Sequence, residues 1–140
     1  MAGRLAILCP GQGAQHAGMF ELARLDPGAS RLLDAWFGDP QLAPVLRASV
    51  EGEERFTNRV AQPSIVAATL AMWIALRGRL PEPALVAGYS IGELSAYGVA
   101  GMLDPIEAVK LAIERARVMD ACLEGGPAQA MVALSGMPDG

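Results

Sequence analysis

An α/β fold, a parallel sheet flanked by helices, is what this 140-residue sequence predicts, and three features carry the prediction. The apolar run Ala84-Leu85-Val86-Ala87 has the length of a buried strand. It leads straight into Gly88-Tyr89-Ser90-Ile91-Gly92, and helix-forming residues resume at Glu93-Leu94-Ser95-Ala96-Tyr97, so strand, sharp turn and helix follow in order. Near the start a second short apolar run, Leu5-Ala6-Ile7-Leu8-Cys9, ends in the loop Pro10-Gly11-Gln12-Gly13-Ala14-Gln15. Loops that follow strand ends in a parallel sheet line one crevice, which places this loop and the Ser90 turn on the same edge.

The elements follow in sequence. Met1 to Arg4 runs directly into the first apolar run, which is too short, and too soon followed by Pro10-Gly11, for a secretory signal. Residues 19–56 read as short helical pieces broken at Asp26-Pro27-Gly28, Gly38-Asp39-Pro40 and Glu51-Gly52-Glu53, anchored on the core by Leu32, Leu33, Trp36 and Phe37. Gln62-Pro63 then opens an apolar helix from Ser64 to Leu76, with Pro63 expected in its first turn and Gly78 at its stop. That helix should be largely buried, its alanines and Trp73 serving packing. Pro81-Glu82-Pro83 resets the chain before the second strand. Asp104-Pro105-Ile106-Glu107 offers an N-cap, a first-turn proline and a third-position glutamate, predicting a helix to about Leu123 that Glu124-Gly125-Gly126 ends. Gln129 to Ser135 reads as one more strand and Gly136 to Gly140 as a turn. A strand at a chain end has neighbours to find, so the expectation is a polypeptide cut partway through a second structural unit.

Composition narrows the function classes. A net charge of -4, with no basic cluster larger than Arg77-Gly78-Arg79, argues against a nucleic-acid partner. Hydrophobic residues make up 52% of the chain, yet no uncharged apolar run has the length of a membrane span, so a cytoplasmic protein without a membrane partner is expected. Cys9 and Cys122 form neither a metal motif nor a disulfide framework, and both read as small buried hydrophobes. No metal role is expected.

The chemistry concentrates at Ser90. Gly88 and Gly92 remove the Cβ atoms that would clash where strand and helix pass closest, and the serine hydroxyl would project above the strand end. The next helix offers free N–H groups there to an oxyanion. A tight turn with a capping serine is the plainer alternative, but the order of strand, turn and helix favours a nucleophile. On the helix after Asp104, advancing about 100° per residue puts Glu107, Lys110, Glu114, Arg117 and Asp120 on one side. Ala108, Leu111, Ala112, Met119 and Cys122 fall on the other. Arg115 falls among the apolar set. A guanidinium is costly to bury unpaired, so it needs an anion or a route to water: a structural carboxylate, the surface, or, with Ser90 nearby, a substrate carboxylate. His16, the one histidine, follows the first loop.

Gly11-Gln12-Gly13-Ala14-Gln15, Gln62-Pro63, Gly88-Tyr89-Ser90-Ile91-Gly92-Glu93 and Arg115-Ala116-Arg117-Val118-Met119 resemble, in order and spacing along the whole chain, the malonyl-CoA:acyl-carrier-protein transacylase family. Members usually carry histidine before the nucleophile. Tyr89 stands there in this chain, a departure that points to a specialised branch; the compact beginning, without the long linkers of a polyketide megasynthase, looks most like the epsilon (transacylase) subunit of bacterial malonate decarboxylase, with the fatty-acid synthesis enzyme close by. The resemblance implies that Ser90 is the nucleophile, that the backbone N–H groups of Gln12 and Ile91 form the oxyanion hole, that Arg115 binds the malonyl carboxylate and that Gln62 lines the pocket. It implies an α/β-hydrolase-like large part, of which residues 1–127 would be the N-terminal portion, and a small ferredoxin-like subdomain beginning over residues 128–140. The family's general base is a histidine well downstream of Gly140, so the chain alone is expected to turn over poorly, and His16 is expected to be an incidental rim or surface residue.

The implied reaction takes malonyl from coenzyme A onto serine and passes it to the phosphopantetheine thiol of an acyl carrier protein, with no metal or bound cofactor. The partners would be that carrier protein, the coenzyme A thioester and, in the specialised branch, a malonate decarboxylase complex. Two other classes stay open: a serine thioesterase of the α/β-hydrolase type, which leaves Arg115 without a task, and an idle carrier-protein docking module.

Overall fold

The computed structural model describes residues 4–127 and 136, and the strand expected over 129–135, with the subdomain it would open, lies outside the described residues. Two short strands, β1 (Ala6–Cys9) and β2 (Leu85–Gly88), pair in parallel with Ala6 opposite Leu85 and Cys9 opposite Gly88. Parallel neighbours need a long crossover, and α1 (Pro27–Gly38), α2 (Ala43–Glu51) and α3 (Asn58–Leu76) supply it. Backbone bonds extend the ladder past both ends: Ala84 N–H donates to the Leu5 carbonyl at 2.9 Å and Tyr89 N–H to the Cys9 carbonyl at 3.2 Å. The second of these carries strand register to the residue before Ser90.

The breaks read from the sequence fall where the helices change. Asp26 caps α1 by accepting from the N–H groups of Gly28 and Ala29, both at 2.9 Å, with Pro27 in the first turn. Leu33 and Trp36 seat α1 in the core, with Leu32 and Phe37 half-buried beside them. The long apolar helix differs from expectation at its start. It begins at Asn58, so Pro63 lies in its second turn rather than its first. The Thr57 carbonyl already accepts from Val60 and Ala61, and the first turn closes ahead of the proline. By length and apolarity α3 could cross a membrane, but it is packed among α1, α2, α4 (Gly92–Val99) and α5 (Pro105–Ala121), with Val60 to Ala67 buried. It is a core helix. One face of the sheet meets this core through Ile7, Cys9 and Val86, while Leu8 is 75% and Leu85 56% exposed on the other.

Asp104 caps α5 as expected, its Oδ1 accepting from Ile106 N–H at 3.0 Å, but Glu107 pairs with Lys110 at 3.1 Å, and the helix ends at Ala121, short of Leu123. Its buried stripe is Ala108, Val109, Ala112 and Ala116. Leu111 and Met119 are exposed, so the packed face is turned toward α3 and narrower than the apolar count implied, because the small alanines let the helices approach closely. Cys122, just beyond the helix, is likewise exposed and not the buried hydrophobe expected, whereas Cys9 is buried and desolvation raises its thiol pKa. Because only thiolates alkylate readily, brief iodoacetamide treatment of the folded protein should label Cys122 and spare Cys9. Peptide mass mapping reads the result, and labelling of both cysteines at equal rate would contradict the packing of β1.

Candidate active site

Ser90 adopts φ 54°, the one non-glycine residue with positive φ among the described residues. An L-residue in the left-handed region is held there by its surroundings, and the two flanking glycines show how. A Cβ on Gly88 would collide with the Gly92 backbone, and one on Gly92 would collide with the Cys9 carbonyl and lie 2.6 Å from the Pro10 carbonyl oxygen. Neither obstacle is a flexible side chain. Strand β2, helix α4 and the end of β1 therefore meet at backbone distance, and the serine between them is pushed out to an exposed position. Gly92→Ala should destabilise the protein by about 1–3 kcal/mol or more through this overpacking, measured by urea denaturation. An unchanged midpoint would show that the elbow is looser than its backbone contacts imply.

The same closeness brings the first loop to the serine. Tyr89 is 78% exposed as a residue and lays its ring beside Gly11, where an added Cβ would sit 2.8 Å from Cδ1. Gly13, at φ 132°, donates its N–H to Gln15 Oε1 at 2.8 Å, and buried Gln15 reaches the Arg55 carbonyl through Nε2 at 3.5 Å. The loop is thus pinned from above by the tyrosine and from below by Gln15. Among the described residues, neither the Gln12 nor the Ile91 N–H donates a hydrogen bond within the chain. His16 is exposed and its ring makes no hydrogen bond among the described residues, in keeping with a surface position.

Arg115 is half-buried at the edge of the α3–α5 packing rather than inside it. Its Nη1 donates to Gln62 Oε1 at 2.6 Å and its Nη2 to Ser90 Oγ at 3.3 Å. No carboxylate pairs with it among the described residues, whereas Arg24, Arg59 and Arg117 each have one. The Gln62 amide, in turn, donates to Gln12 Oε1 at 3.1 Å and to Met119 Sδ at 3.3 Å. Ser90, Gln12, Gln62 and Arg115, far apart in sequence, are therefore joined in one cluster. Two members of that cluster carry no flag in the sequence. Asn58 accepts from Gln12 Nε2 at 3.2 Å and donates to Asp120 Oδ1 at 2.9 Å. Helical phase places Asp120 on the solvent side of α5, and it is the observed start of α3 at Asn58 that puts Asn58 one turn before Gln62.

Fold and site together define an α/β protein that presents a serine on a strained strand-to-helix turn beside an arginine with no carboxylate partner among the described residues. Comparison places it more narrowly: the chain belongs to the acyl transferase domain family, which matches residues 7–137. It is 40% identical over 124 residues to the malonyl CoA-acyl carrier protein transacylase of Mycobacterium tuberculosis, an alignment covering 84% of this chain and 41% of that one. The crystal structure of the transacylase from that organism superposes with a TM-score of 0.72 over 84% of this chain and 40% of its own. A type II polyketide acyl carrier protein in complex with its malonyl-transacylase gives a TM-score of 0.72 at 30% identity, covering 86% of this chain and 40% of that chain. The chain thus spans about 41% of the length of the curated relative it matches.

Proposed function

We propose that the protein takes part in moving a malonyl group from coenzyme A to the phosphopantetheine thiol of an acyl carrier protein through a malonyl-serine intermediate. The observation that carries this reading is the Arg115 guanidinium, 3.3 Å from Ser90 Oγ and braced by Gln62, with no carboxylate bound to it among the described residues. A planar fork next to a nucleophile suits an acyl group that ends in a carboxylate.

In this reading Ser90 Oγ attacks the thioester carbonyl and its proton passes to a base. The N–H groups of Gln12 and Ile91 receive the oxyanion, and collapse breaks the C–S bond to release coenzyme A as its thiol. The carrier-protein thiol then attacks the malonyl-serine ester, and Ser90 leaves with a proton. Arg115 can only donate hydrogen bonds, so it holds the malonyl carboxylate and cannot be the base. Gln62 fixes the fork in place. Neither half-reaction consumes a cofactor. The carrier protein as partner is supported by the related transacylase in complex with its carrier protein.

The finer parts of the proposal are an α/β-hydrolase-type sheet, a specialised branch, such as that of malonate decarboxylase, consistent with Tyr89 in place of the usual histidine, and a cytoplasmic address. The test is acyl transfer from malonyl-CoA by the full-length protein, with carrier protein and water offered as competing acceptors. Malonyl carrier protein is the expected product. Free malonate alone would make the protein a hydrolase, and neither product would leave it a docking module.

A further inference from the structure

We propose that Asn58 and Asp120 are positioning residues that set the direction of every side-chain amide between them and Arg115, and so fix both the fork and the Gln12 loop. The proposal rests on the malonyl-transfer reading of the site. The argument starts from what each group can do. A guanidinium only donates and a carboxylate only accepts, whereas a carboxamide has one donor end and one acceptor end. Arg115 Nη1 therefore demands the oxygen of Gln62, at 2.6 Å. That leaves the Gln62 NH2 for the oxygen of Gln12, at 3.1 Å, and the Gln12 NH2 for the oxygen of Asn58, at 3.2 Å. The Asn58 NH2 is then turned toward Asp120 Oδ1, at 2.9 Å, which can only accept. A cation at one end and a carboxylate at the other thus impose the same direction on the whole chain. Reversing any one amide would set donor against donor and acceptor against acceptor.

The scaffold makes this arrangement rigid. Asn58 and Gln62 are one turn apart on α3, and the Gln12 side chain bridges them, its oxygen on Gln62 and its nitrogen on Asn58. The loop that carries the Gln12 N–H is in this way clamped to a buried helix at two points. Asp120 is itself held: its second oxygen, Oδ2, faces Arg59 Nε at 3.7 Å, leaving Oδ1 for Asn58. Neither Asn58 nor Asp120 hydrogen-bonds Ser90 or Arg115, so both act through the glutamines.

The experiment compares malonyl-CoA and acetyl-CoA as donors for the full-length wild-type protein and three variants, with rates expressed per folded molecule. Asn58→Asp sets two carboxylates face to face, and kcat should fall about tenfold for both acyl groups, since an oxyanion loop misplaced by a fraction of an ångström acts on both. KM should stay within about twofold. Asp120→Asn replaces the obligate acceptor by an amide that can present either end to Asn58, and kcat should fall by less than in Asn58→Asp. Combining Asn58→Asp with Asp120→Asn exchanges the two groups, lets the carboxylate accept from both Gln12 and the new amide, and should restore kcat to near the wild-type value. A role confined to stability would move the melting temperature without this kcat-against-KM split. Unchanged kcat in Asn58→Asp, or failure of the exchange to restore it, overturns the inference. A wild-type protein that takes no malonyl group would instead overturn the proposed function.

Discussion

Malonyl-CoA mixed with the full-length protein is expected to leave one malonyl group on Ser90, and Ser90→Ala to abolish it. The expectation follows from how the serine is held. Its φ of 54° is enforced by backbone atoms that leave no room for a Cβ at Gly88 or Gly92, so its hydroxyl is aimed outward by the fold rather than by its own rotamer alone. Two N–H groups without acceptors among the described residues lie on the segments that flank it, at Gln12 and Ile91. Arg115 places a positive charge 3.3 Å from Oγ, which favours alkoxide character without removing the proton. Loss of a serine nucleophile costs on the order of 10⁶-fold in turnover in enzymes of this mechanistic kind. Intact-mass analysis should therefore show the adduct in the wild type and none in Ser90→Ala. An adduct of equal yield in the variant would place the acyl group elsewhere and remove the elbow from the mechanism.

The elbow was legible in the sequence because its requirements are local. Two glycines, a serine between them and an apolar run before them specify a backbone path with little help from the rest of the chain. The helix breaks at Asp26-Pro27, Gly38-Asp39-Pro40 and Glu51-Gly52 were legible for the same reason: capping and proline constraints act within a few residues. Features that depend on how two helices face each other were not. The start of α3 at Asn58 is set by the Thr57 carbonyl closing the first turn, and the apolar pattern beginning at Ser64 does not register it. The buried stripe of α5 departs from the apolar pattern because counting apolar residues favours Leu111 and Met119, while close approach to α3 selects Ala108, Ala112 and Ala116. Asn58 and Asp120 are silent in the sequence for a related reason. Each looks like an ordinary polar surface residue until the packing of α3 against α5 brings their amide and carboxylate to 2.9 Å.

Arg115 lies at a different place in the packing from the one helical phase implies. Helical phase put its cation among apolar residues and asked for a partner. In the structure the guanidinium is half-buried at the edge of α5, satisfied by a neutral amide and a hydroxyl. Neither neutralises its charge. A malonyl carboxylate would supply the missing anion through two parallel hydrogen bonds, a geometry that lysine cannot reproduce. Arg115→Ala should thus lower malonyl transfer by about 10- to 100-fold or more, the equivalent of losing charge-assisted bonds worth roughly 1.5 to 3 kcal/mol. Acetyl transfer, which presents no carboxylate, should hold steady or improve. Arg117 is the matched control. It is exposed and forms an ion pair with Glu114, whose carboxyl it holds below the usual range by hydrogen bonding, so its charge is already engaged away from the serine. Arg117→Ala should leave the malonyl-to-acetyl preference nearly unchanged. Initial rates with both donors, measured for the wild type and both variants, decide the matter: if the two substitutions depress malonyl and acetyl transfer equally, Arg115 serves only the packing of α5 against α3, and the selectivity for a carboxylated acyl group loses its physical basis.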